Sequence, residues 1–390
     1  MAEWEETNIG KYADVLNGFA FKSEDFSTQG IPVIKIKNVA SGKIIMDDVQ
    51  FYPHKLTDKL NKFLIKKGSI LIAMTGSHAT QPSSMVGRVS KYGLKYDSLL
   101  NQRVGRVYSK DLKKLNEDFL YYFLIQNGIT LDLAINAGGS ANQANISVEQ
   151  IKAVSISLPP IEEQESIASI LSSLDNKIDL LNRQNETLEA LAETLFRQWF
   201  VEAAERDWKT GKLGEYVQFI KGKKPAEAFE EYFDASIPQI LIETFDTGKT
   251  LFSEPQNMII ASERDILMVM DGASSGRVEI GFAGIVGSTI GLFKPVSDFN
   301  YPLFIFYQLK SNETHIRENT TGSAIPHADK ALIFGLDIQY PKVEKIVEFE
   351  GIAEIWFKKK LLNRNQINTL THLRDTLLPK MMSGEIRVKI

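Results

Sequence analysis

The spacing of apolar residues predicts a long helix near the middle of the chain. Between Ile167 and Trp199, apolar positions recur in alternating steps of four and three, the heptad spacing of a helix that packs along one seam. Two prolines followed by acidic residues mark its start, so we expect a helix from Ile161 to about Glu205. The predicted seam comprises Ile167, Leu171, Leu174, Ile178, Leu181, Asn185, Leu188, Ala192, Leu195 and Trp199.

A second and less regular seam follows Pro341 and stops at Pro379. Gln366 is expected to face Asn185, the polar member of the first seam, and to fix the register. Residues 159–206 carry a net charge of −6 and residues 341–390 a net charge of +4, which favours antiparallel pairing of the two helices with each other. An ordinary pair of core helices is the alternative. The predicted positions of the second seam are Ile352, Ile355, Leu362, Gln366, Leu373 and Leu377.

The chain contains a tandem duplication. Trp4, Gly10, Tyr12 and Gly18 recur 204 positions later as Trp208, Gly214, Tyr216 and Gly222. The offset falls to 181 where Leu181-Asn182-Arg183 matches Leu362-Asn363-Arg364. A period of this length is one whole domain with its connector, made twice. Part of the shortening lies between Met74 and Gly87, 13 positions apart, whose counterparts Met270 and Gly276 are 6 apart.

Each copy is predicted to mix strands and helices. Ser69–Met74 and Asp265–Met270 are short apolar runs typical of buried strands. Phe119–Ile125 and Leu303–Leu309 are expected to be helices whose aromatic rings lie in the core. The predicted fold class is α+β, with two homologous mixed α/β domains joined by two long helices that form an antiparallel coiled coil with pseudo-twofold symmetry. The domain boundaries are 1–158, 159–206, 207–340 and 341–390.

Composition excludes several classes of protein. The chain has no cysteine, which excludes disulfides and thiolate metal sites. It has no run of 18 apolar residues, and its acidic N-terminus lacks a signal-peptide core, so a cytoplasmic protein that does not enter a membrane is expected. A net charge of −4 argues against nucleic acid, but residues 1–158 carry +4 while residues 207–340 carry −6.

Motifs for catalysis are missing from the sequence. Leu158-Pro159-Pro160-Ile161 has the two prolines of an amino-methyltransferase motif but neither flanking residue. Gly248-Lys249-Thr250 imitates the end of a phosphate-binding loop, yet Glu243 stands where its first glycine belongs. The five histidines are scattered, without the spacing of a zinc site. No catalytic or metal-binding residue is predicted, and no cofactor is expected to bind this chain.

The sequence from Leu158 to Ala168, Leu-Pro-Pro-Ile-Glu-Glu-Gln-Glu-Ser-Ile-Ala, carries a family resemblance. It is similar to the opening of the central conserved region in specificity subunits of type I restriction–modification systems. Ile70–Ser77, Asn101-Gln102-Arg103 and Gly139-Ser140 resemble recurrent elements of the family's target recognition domains. The second copy departs from the pattern, because Tyr340–Lys345 replaces the Pro-Pro and Glu-Gln opening, and Ser288-Thr289 stands near the place of Asn101-Gln102.

The resemblance implies a non-catalytic DNA-recognition subunit. Each domain would recognise one half of a bipartite double-stranded site, and the helix pair would set the gap. Modification subunits, two in number, would dock on the helices and use S-adenosylmethionine to methylate adenine N6. Restriction subunits would add ATP- and Mg²⁺-dependent translocation and cleavage. The alternatives are a coiled-coil scaffold with two protein-binding domains and a recognition subunit of another class of modification enzyme.

Candidate DNA-binding residues are polar or basic and lie in predicted loops, where lysine and arginine suit phosphates and asparagine, glutamine and arginine suit base edges. Arg88 and Arg277 recur in both copies, so phosphate or structural contacts suit them better than base recognition. The candidates in the first copy are Lys35, Lys37, Asn38, Thr75, Ser77, His78, Gln81, Ser83, Arg88, Asn101, Gln102 and Arg103. Those in the second are Lys221, Lys223, Lys224, Ser274, Ser275, Arg277, Ser288 and His327.

Overall fold

The computed structural model describes residues 4–53, 55–80, 85–140, 143–205, 207–322, 325–340 and 342–388. The chain forms two compact units, one from residues 1–178 with 368–390 and the other from residues 179–367. Each unit combines antiparallel and mixed sheets with helices, as the predicted α+β class requires.

The first unit contains two four-stranded sheets. One is wholly antiparallel, with strands in the order Val89–Lys91, Ile70–Ala73, Val104–Ser109 and Ala13–Asn17. The other is mixed, with the order Gln50–Tyr52, Ile31–Ile34, Ser98–Leu100 and Leu64–Ile65. Smaller sheets pair Glu5–Asn8 with Ser155–Leu158, Val39–Ala40 with Lys43–Ile44, and Gln143–Asn145 with both Gly138–Ser140 and Thr75–Gly76. The short helices are Ile9–Tyr12, Asp58–Asn61, Glu117–Leu124, Asn127–Ile135 and Val148–Ala153, with 3-10 turns at Ser23–Asp25 and Ile36–Asn38.

The second unit repeats this arrangement. Its antiparallel sheet has the order Val217–Lys221, Ile290–Pro295, Ile266–Val269 and Val278–Glu279. Its mixed sheet has the order Phe252–Ser253, Ile237–Ile240, Gly284–Val286 and Ile260–Ala261. The small sheet pairs Lys209–Lys212 with Asp337–Tyr340. The short helices are Leu213–Tyr216, Ile242–Thr247, Pro302–Ser311, Glu313–Glu318 and Lys330–Gly335, with a 3-10 turn at Ser297–Phe299.

The predicted strands and aromatic helices are present in both units. All four residues of Ile70–Ala73 and of Ile266–Val269 are buried. The aromatic helices are Glu117–Leu124 and Pro302–Ser311, and their rings are buried among core side chains. Asn116 caps the first of them by accepting a hydrogen bond from the Phe119 amide at 3.0 Å. The apolar pattern therefore identified the core of each copy correctly.

Gly18 and Gly222, which the two copies share, mark places where backbone segments touch. A Cβ atom on Gly18 would lie 2.1 Å from the carbonyl oxygen of Asn101, and one on Gly222 would lie 2.1 Å from that of Gly287. Both glycines sit just after the edge strand of the antiparallel sheet, where it crosses the connection to the central strand. Only a residue without a side chain fits this crossing.

Replacement of Gly222 by alanine is expected to destabilise the second unit by about 1–3 kcal/mol or more, because the new methyl group overlaps backbone rather than a movable side chain. The matched control is Gly351→Ala. Gly351 lies in a helix with open space around its missing Cβ, so alanine should stabilise the protein by roughly 0.5–1 kcal/mol. Urea denaturation measures both, and equal effects of the two substitutions would contradict the crossing argument.

The two long helices differ in detail from their predicted extents. The first runs from Ile161 to Phe196 and continues as a π-helical segment, Arg197–Glu202. The expected α-helix to about Glu205 is therefore wrong at its end. The second long helix, Val343–Met382, passes through Gly351 and extends beyond Pro379. Pro379 is exposed, so its missing amide hydrogen bond falls on the solvent side.

Gln164 and Glu163, from the Glu-Gln sequence at the start of the first long helix, have structural roles. The side chain of Gln164 is fully buried, accepts from the Asn116 amide at 2.9 Å, and donates to the carbonyls of Lys114 and Pro159. Glu163 is also buried and pairs with Arg387, whose guanidinium lowers the pKa of this carboxyl group. These contacts fasten the helix start to the first unit.

Candidate DNA interface and the paired helices

A polar cluster lies where the buried strand Ile70–Ala73 ends in the first unit. The hydroxyl of Thr75 donates to the Asn145 side-chain oxygen at 2.7 Å. Arg103 donates to the same oxygen at 3.1 Å and to the Thr75 hydroxyl at 3.3 Å. Thr75 is buried, but Arg103 is exposed and Asn145 is half-buried. We call Thr75, Arg103 and Asn145 the first polar cluster.

A second polar cluster occupies the corresponding place in the second unit. Oδ1 of Asp271 lies 2.7 Å from His327 Nδ1, and Oδ2 of Asp271 lies 3.5 Å from Lys221 Nζ. The side chains of His327 and Lys221 are 49% and 60% exposed, so solvent reaches the cluster. We call Lys221, Asp271 and His327 the second polar cluster.

Backbone hydrogen bonds show that the two clusters share a frame. The Ile146 amide donates to the Met74 carbonyl at 3.0 Å, and the Ala328 amide donates to the Met270 carbonyl at 2.8 Å. Thr75 pairs with Asn145 across the strands, as Asp271 pairs with His327. Thr75 therefore corresponds to Asp271 and Asn145 to His327. Sequence analysis selected Thr75 and His327 but missed Asn145 and Asp271. The repeat match of Met74-Thr75-Gly76 with Met270-Asp271-Gly272 pointed to Asp271, whereas only the strand pairing identifies Asn145.

Equivalent hydrogen bonds also show which residues correspond in the two units just before the central strand of each antiparallel sheet. The Met74 amide donates to the Arg103 carbonyl at 3.0 Å, as the Met270 amide donates to the Thr289 carbonyl at 2.8 Å. Gly287-Ser288-Thr289 therefore corresponds to Asn101-Gln102-Arg103, one residue from the expected match of Ser288-Thr289 with Asn101-Gln102. Gln102 and Ser288 are exposed, and Asn101 is half-buried.

Several predicted DNA-binding residues instead serve the fold. Asn38 is buried, accepts from the Lys35 amide at 3.0 Å and donates to the Ile45 carbonyl at 2.9 Å. Ser275 is buried and donates to the carbonyls of Gly272 and Pro326. The prediction of DNA contact is therefore corrected to a structural role for Asn38 and Ser275, because neither side chain reaches the surface.

The two recurrent arginines also have internal partners. Arg88 is half-buried near the Ile36 carbonyl, and burial lowers the pKa of its guanidinium. Burial alone lowers the pKa of the Arg277 guanidinium, but its ion pairs with Asp246 and Glu279 outweigh this effect and raise the pKa. Both arginines therefore hold parts of their own unit together.

The remaining candidates have varied surroundings. Lys35 lies over the Phe26 ring at 3.6 Å and its pKa is lowered, mainly by burial and also by Lys37. Ser77 is buried, His78 and Ser274 are half-buried, and Lys37, Lys223 and Lys224 are exposed. Gln81 and Ser83 lie outside the described residues.

The most basic surface segment of the first unit was missed by sequence analysis. Five exposed lysines follow one another between the strands Gln50–Tyr52 and Ile70–Ala73, and within the described residues none of them forms an ion pair with a carboxylate. Lys59 lies 5.2 Å from the Phe19 ring, and the Phe19 carbonyl accepts from the Gln102 amide, so this segment approaches the first polar cluster. The lysine segment comprises Lys55, Lys59, Lys62, Lys66 and Lys67.

The corresponding connection in the second unit has the opposite charge. Residues 254–265 carry three acidic residues and one arginine, a net charge of −2, whereas residues 53–69 carry five lysines and one aspartate, a net charge of +4. Exposed Lys223 occupies the position of Phe19, because its amide donates to Val286 O as the Phe19 amide donates to Leu100 O. The positive charge of the second unit near its polar cluster therefore comes from Lys221, Lys223 and Lys224.

The first long helix buries the seam that its heptads predict. All ten predicted positions are buried or half-buried. The second long helix does not follow its prediction, because Ile355, Leu362 and Leu373 are 68%, 65% and 43% exposed. Ile352 and Leu377 are half-buried, as predicted. The other buried or half-buried positions of this helix include Phe349, Ala353, Phe357, Lys360, Asn363, Ile367, Leu370, Arg374 and Met381. Polar residues on this inner face concealed the true seam.

The helices pair in opposite directions within the second unit. Asn363 is buried and donates to the side-chain oxygens of Asn185 at 2.8 Å and Gln184 at 2.9 Å, while Lys360 pairs with Glu189. Residue numbers therefore fall along one helix as they rise along the other. In the first unit, Arg374 pairs with Asp175 at 3.0 Å. Both ion pairs join the acidic first helix to the basic second helix, as their net charges favour.

Asn363, and not Gln366, is thus the partner of Asn185, and Gln366 is exposed. The expected pairing was wrong because it matched residues by repeat position. The partner of a residue in an antiparallel pair is set by the register of the two helices and not by repeat position. The observed register places Asn363 opposite Asn185.

Replacement of Asn363 by alanine is expected to lower the free energy of unfolding by about 1–3 kcal/mol, because it removes two hydrogen bonds donated by this buried side chain to Gln184 and Asn185, each worth about 0.5–1.5 kcal/mol. Gln366→Ala is the control, and its effect should stay within about 0.5 kcal/mol because the side chain is exposed. Chemical denaturation distinguishes the two. A larger effect at Gln366 than at Asn363 would refute this pairing.

Neither a metal-binding cluster nor a membrane-spanning helix occurs among the described residues. Across the described ranges, no group of three or more histidine, aspartate or glutamate side chains is placed to hold a metal ion. Within those same ranges, no helix is long and apolar enough to cross a membrane.

Comparisons with known proteins agree with this architecture. A family model described as the type I restriction modification DNA specificity domain matches residues 1–190 and again 205–371. The chain is 25% identical to the type I restriction enzyme MjaIX specificity subunit of Methanocaldococcus jannaschii, over 99% of this chain and 94% of that protein. It is 21% identical to the HindI specificity subunit of Haemophilus influenzae, over 99% of this chain and all of that protein.

Further likeness comes from a partial match and a solved structure. The MjaVIII specificity subunit of M. jannaschii is 30% identical over 45% of this chain and 42% of that protein. The crystal structure of the type I restriction–modification S subunit from M. genitalium has a TM-score of 0.63 with 20% identity, covering 97% of this chain and 96% of that one. With the family model covering both copies, the chain belongs to the family of type I restriction–modification specificity subunits.

Proposed function

We propose that this protein is the DNA-recognition subunit of a type I restriction–modification complex, and that each unit recognises one half of a bipartite site. The repetition of the same strand order and pairing in both units supports this proposal most strongly. Two readers of one shape suit a target in two parts, whereas one catalytic site rarely needs to be made twice.

The paired helices are proposed to set the gap between the half-sites and to dock two modification subunits. The ion pairs Glu189–Lys360 and Asp175–Arg374 support a defined register, since sliding one helix along the other would separate the charged groups of each pair. The modification subunits would supply S-adenosylmethionine and methylate adenine N6. Restriction subunits, with ATP and Mg²⁺, would add translocation and cleavage. This chain would contribute recognition alone.

Partner subunits are also proposed to supply part of the phosphate binding. Residues 207–340 carry a net charge of −6, which opposes binding of their unit to DNA except near Lys221, Lys223 and Lys224. We therefore expect the isolated chain to bind DNA weakly, and the chain with its modification subunits to bind tightly and specifically.

The test uses the full chain with the modification subunits of its own system. The complex is mixed with a randomised duplex DNA library, and the bound DNA is sequenced. Two short motifs separated by a constant gap are expected. A single contiguous motif, or binding without base preference, would overturn the proposal, and the second outcome would favour a protein-binding scaffold.

A further inference from the structure

The two polar clusters are equivalent in position and different in chemistry. Asn145 offers an amide where His327 offers an imidazole, and the buried Thr75 hydroxyl holds Asn145 where Asp271 presents a carboxylate. The third members also differ in origin, because Arg103 precedes the central strand while Lys221 ends the edge strand. Surfaces that recognise different half-sites require this combination of a constant frame and variable groups.

The clusters also lie beside the loops that changed most between the copies. The segment from Met74 to Gly87 spans 13 positions and that from Met270 to Gly276 spans 6. Both segments begin one residue before the cluster residue Thr75 or Asp271. Loops of this kind usually carry recognition on a rigid scaffold.

Arg88 and Arg277 provide a useful contrast. They are the same residue at equivalent positions, and each is engaged by groups of its own unit. Identical side chains in both copies offer the same contacts to both half-sites and provide no discrimination between them. Discrimination must come from positions where the copies differ and solvent has access.

We propose that the first and second polar clusters are the base-reading centres of the two units, an assignment that rests on the proposed function. In the first, Asn145 and Arg103 present the amide and guanidinium that suit the major-groove edges of adenine and guanine. In the second, the Asp271 carboxylate is an acceptor for a base amino group, that of cytosine N4 or adenine N6, with His327 and Lys221 beside it. The two centres therefore prefer different bases.

Two variants of the full chain, assembled with its modification subunits, test the assignment in the randomised duplex library. His327→Asn gives the second cluster the side chain found in the first, and Asn145→His makes the reverse change. The matched controls are His315→Asn and Asn127→His, which alter exposed residues of the same units outside the clusters. Each cluster variant should change the base preference at one or two positions of a single half-site by about 10-fold or more, a typical effect for one good base contact.

The other half-site and the gap should stay unchanged, and both controls should retain the wild-type motif. Uniform weakening across all sequences would overturn the assignment, since it indicates phosphate contact alone, and an unchanged motif would overturn it as well. Asp271→Asn serves as a second variant if His327→Asn fails to fold, as judged by its thermal transition. A wild-type complex that selects no bipartite motif would instead refute the proposed function itself.

Discussion

Replacing all five residues of the lysine segment by glutamine is expected to weaken DNA binding by the complex on the order of 100-fold or more near 0.1 M salt. Each lysine that neutralises a phosphate releases a counterion, and each adds about 0.9 to the slope of log affinity against log salt. All five are exposed, and the described residues provide no carboxylate partner for them. The slope should fall by about 4.5 units, and the half-site preferences should remain, because phosphates carry no sequence information.

A variant with the same change in charge is the control for this experiment. Its five substituted lysines are also exposed and unpaired with carboxylates in the described parts of the chain, but they lie outside the lysine segment. Titration of labelled duplex DNA over a range of salt concentrations measures both. Equal loss in the two variants would show a bulk charge effect and contradict a local phosphate contact. The control residues are Lys113, Lys114, Lys209, Lys249 and Lys359.

The lysine segment shows what a net charge conceals. The whole chain is acidic, and residues 1–158 carry only +4 in total, yet the connection from 53 to 69 alone carries +4. Sequence analysis concentrated on loops near glycines and missed it. The comparison that reveals it is structural, because only the strand pairing shows that residues 254–265 occupy the same connection with a charge of −2.

Duplication and periodicity predicted the frame well. Gly18 and Gly222 hold the same position in the two copies. Each lies at a backbone crossing that admits no side chain, so glycine is required there in both copies. The first long helix was predicted because its inner face is almost wholly apolar. The second helix was also predicted, but its seam was misplaced, because Lys360, Asn363 and Arg374 face inward while Ile355 and Leu362 face solvent. Apolar spacing finds a seam only where the seam is apolar.

The candidate site was predicted only in part. Polarity and loop position selected Thr75, Arg103, Lys221 and His327, which the structure brings together in two clusters, but they also selected Asn38, which is buried. Polar side chains in loops serve turns as often as ligands, and sequence alone does not distinguish the two. The strand pairing distinguishes them, because it shows which strands end side by side. It brings together Thr75 and Asn145, which are 70 positions apart in the sequence.

Lengthening the paired helices by one heptad is expected to lengthen the preferred gap by about 3 base pairs without altering either half-site. Seven residues at 1.5 Å rise add about 10.5 Å, and base pairs are spaced about 3.4 Å apart. The pairing of Asn185 with Asn363 places residues 176–182 opposite residues 366–372. A second copy of 176–182 after Asn182, with a second copy of 366–372 before Gln366, therefore extends both helices with segments that already match.

Extension of only one helix is the control, because it shifts every contact beyond the insertion out of register. Glu189 would then lose Lys360, and Asn185 would lose Asn363, so the single insertion should destabilise the second unit and abolish specific binding. The double insertion keeps these contacts and moves only the spacing. Selection from a duplex library of variable gap length gives the result directly. A double insertion that retained the wild-type gap would show that the helices do not set it, and altered half-sites would show that they take part in base recognition.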